Sequence, residues 1–368
     1  MASALRLANS GRVHMPAYRT GQGASLNKKP SNAQTKQRED TMKFSLDTVG
    51  YGGYFTDGAH LSLEDAFRRA ARFGYDAACI YAHRPLAFPM DLSADRRKAL
   101  KELALELDLE LGAVVCCTSF LKGDHVLLYP QEKEILYARE AIKLAQDLDM
   151  KIVRVMAAFF GYFQNPLAGQ GYGNPAFESR SLRVSQSKDW LEAWHQVREA
   201  LHEVALIAQD HGITLALQTH PEITNNNRET LEMIEEVNMP NLKVGLDLPL
   251  FESQEPEFVR KTVRSMKGLM VYSHSISIAT KRTVGGLPFG WDEVIPGSDE
   301  DPCQWRVFLE TCKEIGFDGY LSHEQCSPMI IKGHRIAGLE DVDRRYVEAL
   351  RYLKGLALEL NYYTGWRR

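Results

Sequence analysis

Four polar side chains interrupt short apolar segments at or near their C-terminal ends: Gln218 in ITLALQTH, Asp247 in LKVGLDLPLF, His274 in MVYSHSISI and Glu324 in FDGYLSHE. Such groups are costly inside buried strands unless they are paired or bound to something. Two carboxylates, an imidazole and an amide brought to one place form an oxygen-rich donor set with one nitrogen. That set suits a divalent ion, Mn2+ first, then Mg2+, Co2+, Fe2+ or Zn2+, better than a thiolate site would. Gln218 is the unusual member, because its neutral amide can coordinate through oxygen but cannot accept a proton. His220 lies two positions further on and so shares a strand face with Gln218. Near neutral pH its imidazole is a competent proton acceptor, with substrate hydrogen bonding as the alternative role.

Positioning these residues needs strands whose ends converge, and the chain supplies them. β-Like runs at 44–50, 75–81, 109–117, 151–160, 213–220, 242–251, 270–278 and 317–324 alternate with helical periodicity. Helices are expected at about 63–73, 94–106, 131–148, 188–211, 228–237, 255–267, from Asp301-Pro302 to Gly316, and at 339–360. Ser62 and Ser93 read as N-caps, and Gly74, Gly212 and Gly316 as stops. The junctions FGYDAACIY and IGFDGYLSH share one pattern of Gly stop, aromatic residue, Asp and strand. Eight strand signals with intervening helices predict a (β/α)8 TIM barrel, in which the strand exits form one functional rim.

Long connections at about 161–187 and 279–301 leave that rim, both rich in Gly, Pro and aromatics, as lids and partner contacts are. Further rim candidates for substrate binding are His83 and Arg84 after the second strand, Tyr162 in the fourth connection, and Lys281 and Arg282 after the seventh. Each has a plainer reading as a solvated or lid-packing loop residue. Cys116 and Cys117 read as small packing residues.

A net charge of −4 and a pI near 6.3 give no electrostatic case for nucleic acid or an anionic membrane. No apolar run is long enough to span a bilayer. Six cysteines without a CxxC, several inside expected strands and helices, predict a reduced, cytoplasmic setting. Residues 1–41 are polar, with no acidic residue before Glu39, and are expected to be a disordered leader or an upstream extension. Residues 42–368 are expected to form a single TIM-barrel catalytic domain.

The segments ITLALQTH, VGLDLPLF, VYSHSIS and GFDGYLSHE resemble the xylose isomerase-like barrels of the sugar phosphate isomerase/epimerase superfamily. That group includes ketose 3-epimerases, hydroxypyruvate isomerases and inosose dehydratases. The resemblance implies Glu, Asp, His and Glu around a divalent ion on strands five to eight, falling here on Gln218, Asp247, His274 and Glu324. It also implies that the first and last of these exchange protons with the sugar carbon. Two positions depart from the pattern: Gln218 replaces the first glutamate, and Leu250 stands where many members carry histidine. The expected catalytic residues are therefore Glu324 and His220, His220 preserving the histidine of the family's Glu-Asn-His at this place.

The function these features predict is a metal-dependent isomerase or epimerase working through an enediolate on a ketose, aldose or keto-sugar. The alternatives are a lyase eliminating a β-substituent from a 3-keto sugar or glycoside, and a non-catalytic sugar-binding protein with a degenerate site. Expected partners are a small-molecule sugar and further copies of the chain, with a partner subunit in the lyase case.

Overall fold

The computed structural model describes residues 42–121, 130–158, 188–220, 223–280, 283–284, 287–288, 291–326, 330–331 and 335–363. Tyr162, Lys281 and Arg282 lie outside this set, as does the leader to residue 41. Glu39–Arg368 form one compact unit.

Eight parallel strands close into a barrel: β1 (Lys43–Asp47), β2 (Ala77–Tyr81), β3 (Glu110–Val115), β4 (Ile152–Met156), β5 (Thr214–Gln218), β6 (Leu242–Asp247), β7 (Met270–His274) and β8 (Tyr320–His323). The helices between and after them are α1 (Leu63–Phe73), α2 (Ala94–Glu106), α3 (Pro130–Asp147), α4 (Lys188–Asp210), α5 (Asn227–Val237), α6 (Pro256–Ser265), α7 (Trp305–Ile315) and α8 (Leu339–Glu359). Alternation divides each strand between two environments. Phe44, Leu46, Leu215, Leu217, Val244 and Leu246 point outward into the large core under the helices. Cys79, Ala113, Val115, Ala216 and Tyr272 form a separate small cluster, the filled interior of the barrel.

Local chemistry sets the element ends as the sequence predicts. The Ser62 and Ser93 hydroxyls accept from the Asp65 and Arg96 amides at 3.1 and 3.3 Å. Each such cap contributes about 1 kcal/mol. Gly74 and Gly316 both end their helices in the left-handed region, with φ of 89° and 76°. The residue after each glycine then donates to a carbonyl of the last turn, Tyr75 to Ala70 and Phe317 to Cys312, both at 3.0 Å. The two look-alike junctions are thus one structural device used twice, and only glycine enters that backbone region without strain.

Two expectations need correction. Helix α7 begins at Trp305, not at Asp301-Pro302. Asp301 instead ties a turn, its Oδ1 and Oδ2 accepting from the Cys303 and Gly297 amides at 2.9 and 2.7 Å. The segment read as one strand over 270–278 is two. The barrel strand stops at His274, and Ser277–Thr280 pairs antiparallel with Trp291–Val294 outside the barrel. Paired strands therefore occupy part of the connection expected as a long loop.

Candidate active site

The inward positions of β5, β6 and β7 and the residue after β8 place Gln218, Asp247, His274 and Glu324 together. Register explains much of this. Asp247 stands opposite His274 across β6–β7, and His274 opposite Ser322 across β7–β8, so Glu324 lies one inward step above. Thr219 points the other way, its hydroxyl bonded to Asn227 and Thr230 on α5, which leaves Gln218 facing the barrel.

The four side chains meet at one ring nitrogen. His274 Nδ1 lies 3.3 Å from Asp247 Oδ2, 3.3 Å from Glu324 Oε2 and 3.4 Å from Gln218 Nε2. Ligand atoms sharing a first-row cation are separated by about 3 Å, since each sits about 2.1 Å from the ion. Asp247 also accepts the His274 amide through Oδ1 at 3.0 Å, which locks β6 to β7 at the site. The Gln218 amide nitrogen donates to Asp247 Oδ2, leaving Oε1 buried without a hydrogen-bond partner. Turning the amide over would aim that oxygen at the same point as the other donors. The donor set therefore fits a divalent cation.

The opposite face of the imidazole meets different groups. Nε2 lies 3.0 Å from the Tyr272 hydroxyl and 3.6 Å from Asp47 Oδ2. Asp47, His274 and Glu324 also bring ligand atoms within 4.8 Å of one another. An ion placed against Nε2 would forgo Gln218 and Asp247, whereas the Nδ1 face assembles four donors. The Nδ1 face carries more of the candidate donors.

Charges in this buried space are strongly coupled. Burial opposes a charge on His274, but Glu324 and Asp247 outweigh it and raise its pKa to about 10. Burial also works against the Asp247 carboxylate, yet the His274 charge and hydrogen bonds hold it below the usual range. Glu324 moves the other way: burial raises it despite His274 and Arg154. A carboxyl raised in this manner is a stronger proton acceptor than an exposed glutamate.

Arg154 is the site residue that the sequence reading did not single out. It projects from β4 with 1% exposure, and its guanidinium lies 3.4 Å from Glu324 Oε1 and 3.3 Å from the Cys116 carbonyl. Asp47, at the end of β1 and fully buried, was passed over too. Both are buried charges in strand-like runs, KIVRVM and KFSLD, and the criterion that picks Asp247 applies equally to them.

His220 is fully buried beyond β5, its backbone bridged to Thr224. His83 lies half-buried between aromatic rings, 4.7 Å from Tyr81 and 5.1 Å from Tyr137 by centroid, and 2.9 Å from the Tyr137 hydroxyl. Arg84 is exposed, its charge held by both Asp91 oxygens at 2.5 and 2.7 Å, and it stacks on Phe88. Of the two, His83 is the one beside the rim residue Cys117, whose amide approaches its Nε2 at 3.4 Å.

Burial, then the Arg154 charge, lowers the His83 pKa to about 4 from 6.5. The unfolded chain thus binds the extra proton first as pH falls, and stability contributed by the neutral ring is lost between about 6.5 and 4. His83→Gln is expected to flatten the slope of unfolding free energy against pH in that window, measured by urea titration. An unchanged slope would contradict the buried neutral ring.

Comparison with known proteins agrees with this architecture. The chain belongs to the xylose isomerase-like TIM barrel family, which it matches over residues 67–356. Fructoselysine 3-epimerase of Shigella flexneri is 30% identical over 120 residues, 31% of this chain and 42% of that relative's length. D-psicose 3-epimerase from Clostridium cellulolyticum H10, solved with D-tagatose, superposes with a TM-score of 0.62 at 16% identity, covering 86% of this chain and 99% of the other. The probable 3-DHS dehydratase of Bacillus anthracis superposes with a TM-score of 0.58 at 16% identity, covering 85% and 99%. These structures share the fold. Among the described residues no helix is long and apolar enough to cross a membrane, and no disulfide joins Cys79, Cys116, Cys117, Cys303, Cys312 or Cys326.

Proposed function

We propose that the protein is a divalent-metal-dependent isomerase or epimerase acting on a ketose or keto-sugar through an enediolate. The observation that carries this reading is the convergence of Gln218, Asp247 and Glu324 within 3.4 Å of His274 Nδ1. Bound among these four, a divalent ion such as Mn2+ would draw charge from adjacent oxygens of an α-hydroxy carbonyl and acidify the neighbouring C–H. Glu324 moves the proton on one face, its basicity raised by burial. His220 serves the other face from beyond β5, since Gln218 has no proton-accepting capacity. His83 faces the rim as a neutral hydrogen-bonding group for a sugar hydroxyl, and Tyr162, Lys281 and Arg282 belong to connections that would complete the substrate site.

The amide at 218 also favours a second reading. One carboxylate and one imidazole suffice to abstract a proton and release a β-substituent, so elimination from a 3-keto sugar uses the same first step. The dehydratase among the structural relatives is consistent with that chemistry on this fold.

Mn2+-loaded protein incubated with ketoses and with 3-keto glycosides in deuterium oxide is expected to place deuterium on the carbon beside the carbonyl. Chelation should abolish the exchange, and intact carbon–oxygen connectivity would distinguish the isomerase from the lyase. Finding no chelator-sensitive exchange and no elimination product with either substrate class would sink both readings.

A further inference from the structure

We infer that Asp47, on β1, supplies the negative charge that the Gln218 amide withholds from β5, and that it acts on the ion site through His274 rather than as a ligand. This rests on the metal-site reading above.

Asp47 is fully buried, and its two carboxylate oxygens have different tasks. Oδ1 accepts the Val49 amide at 2.9 Å and caps the short 3-10 turn over Thr48–Tyr51. Oδ2 has no hydrogen-bond partner and faces His274 Nε2 at 3.6 Å. A buried carboxylate oxygen left in this way is costly unless a cationic system lies beside it. Backbone contacts fix its position further, because the Tyr346 hydroxyl donates to the Asp47 carbonyl at 2.6 Å.

Imidazole geometry decides between ligand and supporting group. The two ring nitrogens diverge, so a residue on the Nε2 side stands outside the coordination sphere of an ion on the Nδ1 side. A histidine bound to metal through Nδ1 carries its proton on Nε2 and must donate it. Tyr272 and Asp47 are the groups placed to receive or polarise that N–H. A carboxylate there fixes the tautomer and strengthens the imidazole as a donor.

Charge leads to the same assignment. With His274 neutral as a ligand, the carboxylates of Asp47, Asp247 and Glu324 outnumber the Arg154 guanidinium by two among the described residues, and a divalent ion would balance that excess. A glutamate at 218 as well would raise the excess to three in a space shielded from water. With an amide at 218 and a carboxylate at 47, the count closes.

The test is Mn2+ calorimetry on the full chain, comparing wild type with Asp47→Asn, Gln218→Glu and the double variant. Asparagine keeps the Oδ1 cap and the side-chain shape, but its amide group cannot accept from Nε2. Asp47→Asn is expected to weaken Mn2+ binding about 10- to 100-fold while keeping one ion per chain. Gln218→Glu in that background should recover most of the loss. The ion-free melting midpoint of Asp47→Asn should not fall, whereas its rise on adding Mn2+ should shrink. Wild-type affinity in Asp47→Asn, no recovery in the double variant, or a lowered ion-free midpoint would each overturn the inference and leave the ion site standing. Wild-type protein that binds no Mn2+ would instead remove the metal-site reading beneath it.

Discussion

Asp247→Asn is expected to bind no stoichiometric Mn2+ and to lose roughly three orders of magnitude in kcat, the rate equivalent of several kcal/mol of electrostatic stabilisation. The substitution is chosen because it separates two tasks of one side chain. Asn keeps an oxygen for the His274 amide, which Asp247 Oδ1 accepts at 3.0 Å, so the β6–β7 junction stays tied. It places an NH2 group where Oδ2 now lies 3.3 Å from His274 Nδ1 and accepts from Gln218. Two amides would then face the same point, and the buried space would hold one negative charge fewer. Calorimetry with Mn2+ and steady-state turnover on any substrate found by deuterium exchange check the two halves separately. Retained one-to-one binding would show that Asp247 is a structural tie and not a ligand.

The barrel and most of this site were legible in the sequence for reasons of different strength. Strand and helix periods report which face of an element is buried, and caps such as Ser62 and Ser93 act locally, so both survive folding unchanged. Partner choice is not local. The run SHSISI keeps its alternation past His274, yet Ser277–Thr280 leaves the barrel to pair with Trp291–Val294. Asp301-Pro302 likewise has the chemistry of a helix start, but the Asp301 oxygens are taken by the Gly297 and Cys303 amides, and the helix waits until Trp305.

Asp47 and Arg154 show the same limit at the site. Each is a buried charge in a strand, meaningful only once its counterpart is known. Closing the barrel puts β1 beside β8, and this brings Asp47 behind His274 although 227 positions in the chain separate them. Arg154 reaches Glu324 across the interior from β4, a contact that spans 170 positions. Polar groups at strand ends, and then the resemblance to the xylose isomerase-like barrels, both pointed to Gln218, Asp247, His274 and Glu324. Supporting groups on β1 and β4 lie outside that set and required geometry.

The Glu324→Gln substitution should separate proton transfer from ion binding most sharply. Glu324 divides its carboxylate, with Oε2 3.3 Å from His274 Nδ1 and Oε1 3.4 Å from Arg154 Nη2. Glutamine can place its oxygen toward the ion, so binding should weaken without vanishing, by about 10- to 100-fold, in the manner of a perturbed ligand shell. It cannot accept a proton, and kcat at saturating Mn2+ should fall by roughly 10²–10⁴, the usual contribution of a positioned acid/base group. Arg154 would then face a neutral amide, so a loss of stability is also expected, measured by urea unfolding and distinct from the kinetic effect. His220→Asn supplies the contrast, with a fall in kcat at unchanged Mn2+ affinity and unchanged stability. If both variants lose turnover yet only Glu324→Gln disturbs the ion, two proton-transfer groups flank the substrate and Gln218 has ceded its role to His220. If His220→Asn keeps full turnover, a single carboxylate suffices, and the reaction is one that needs a base on only one face.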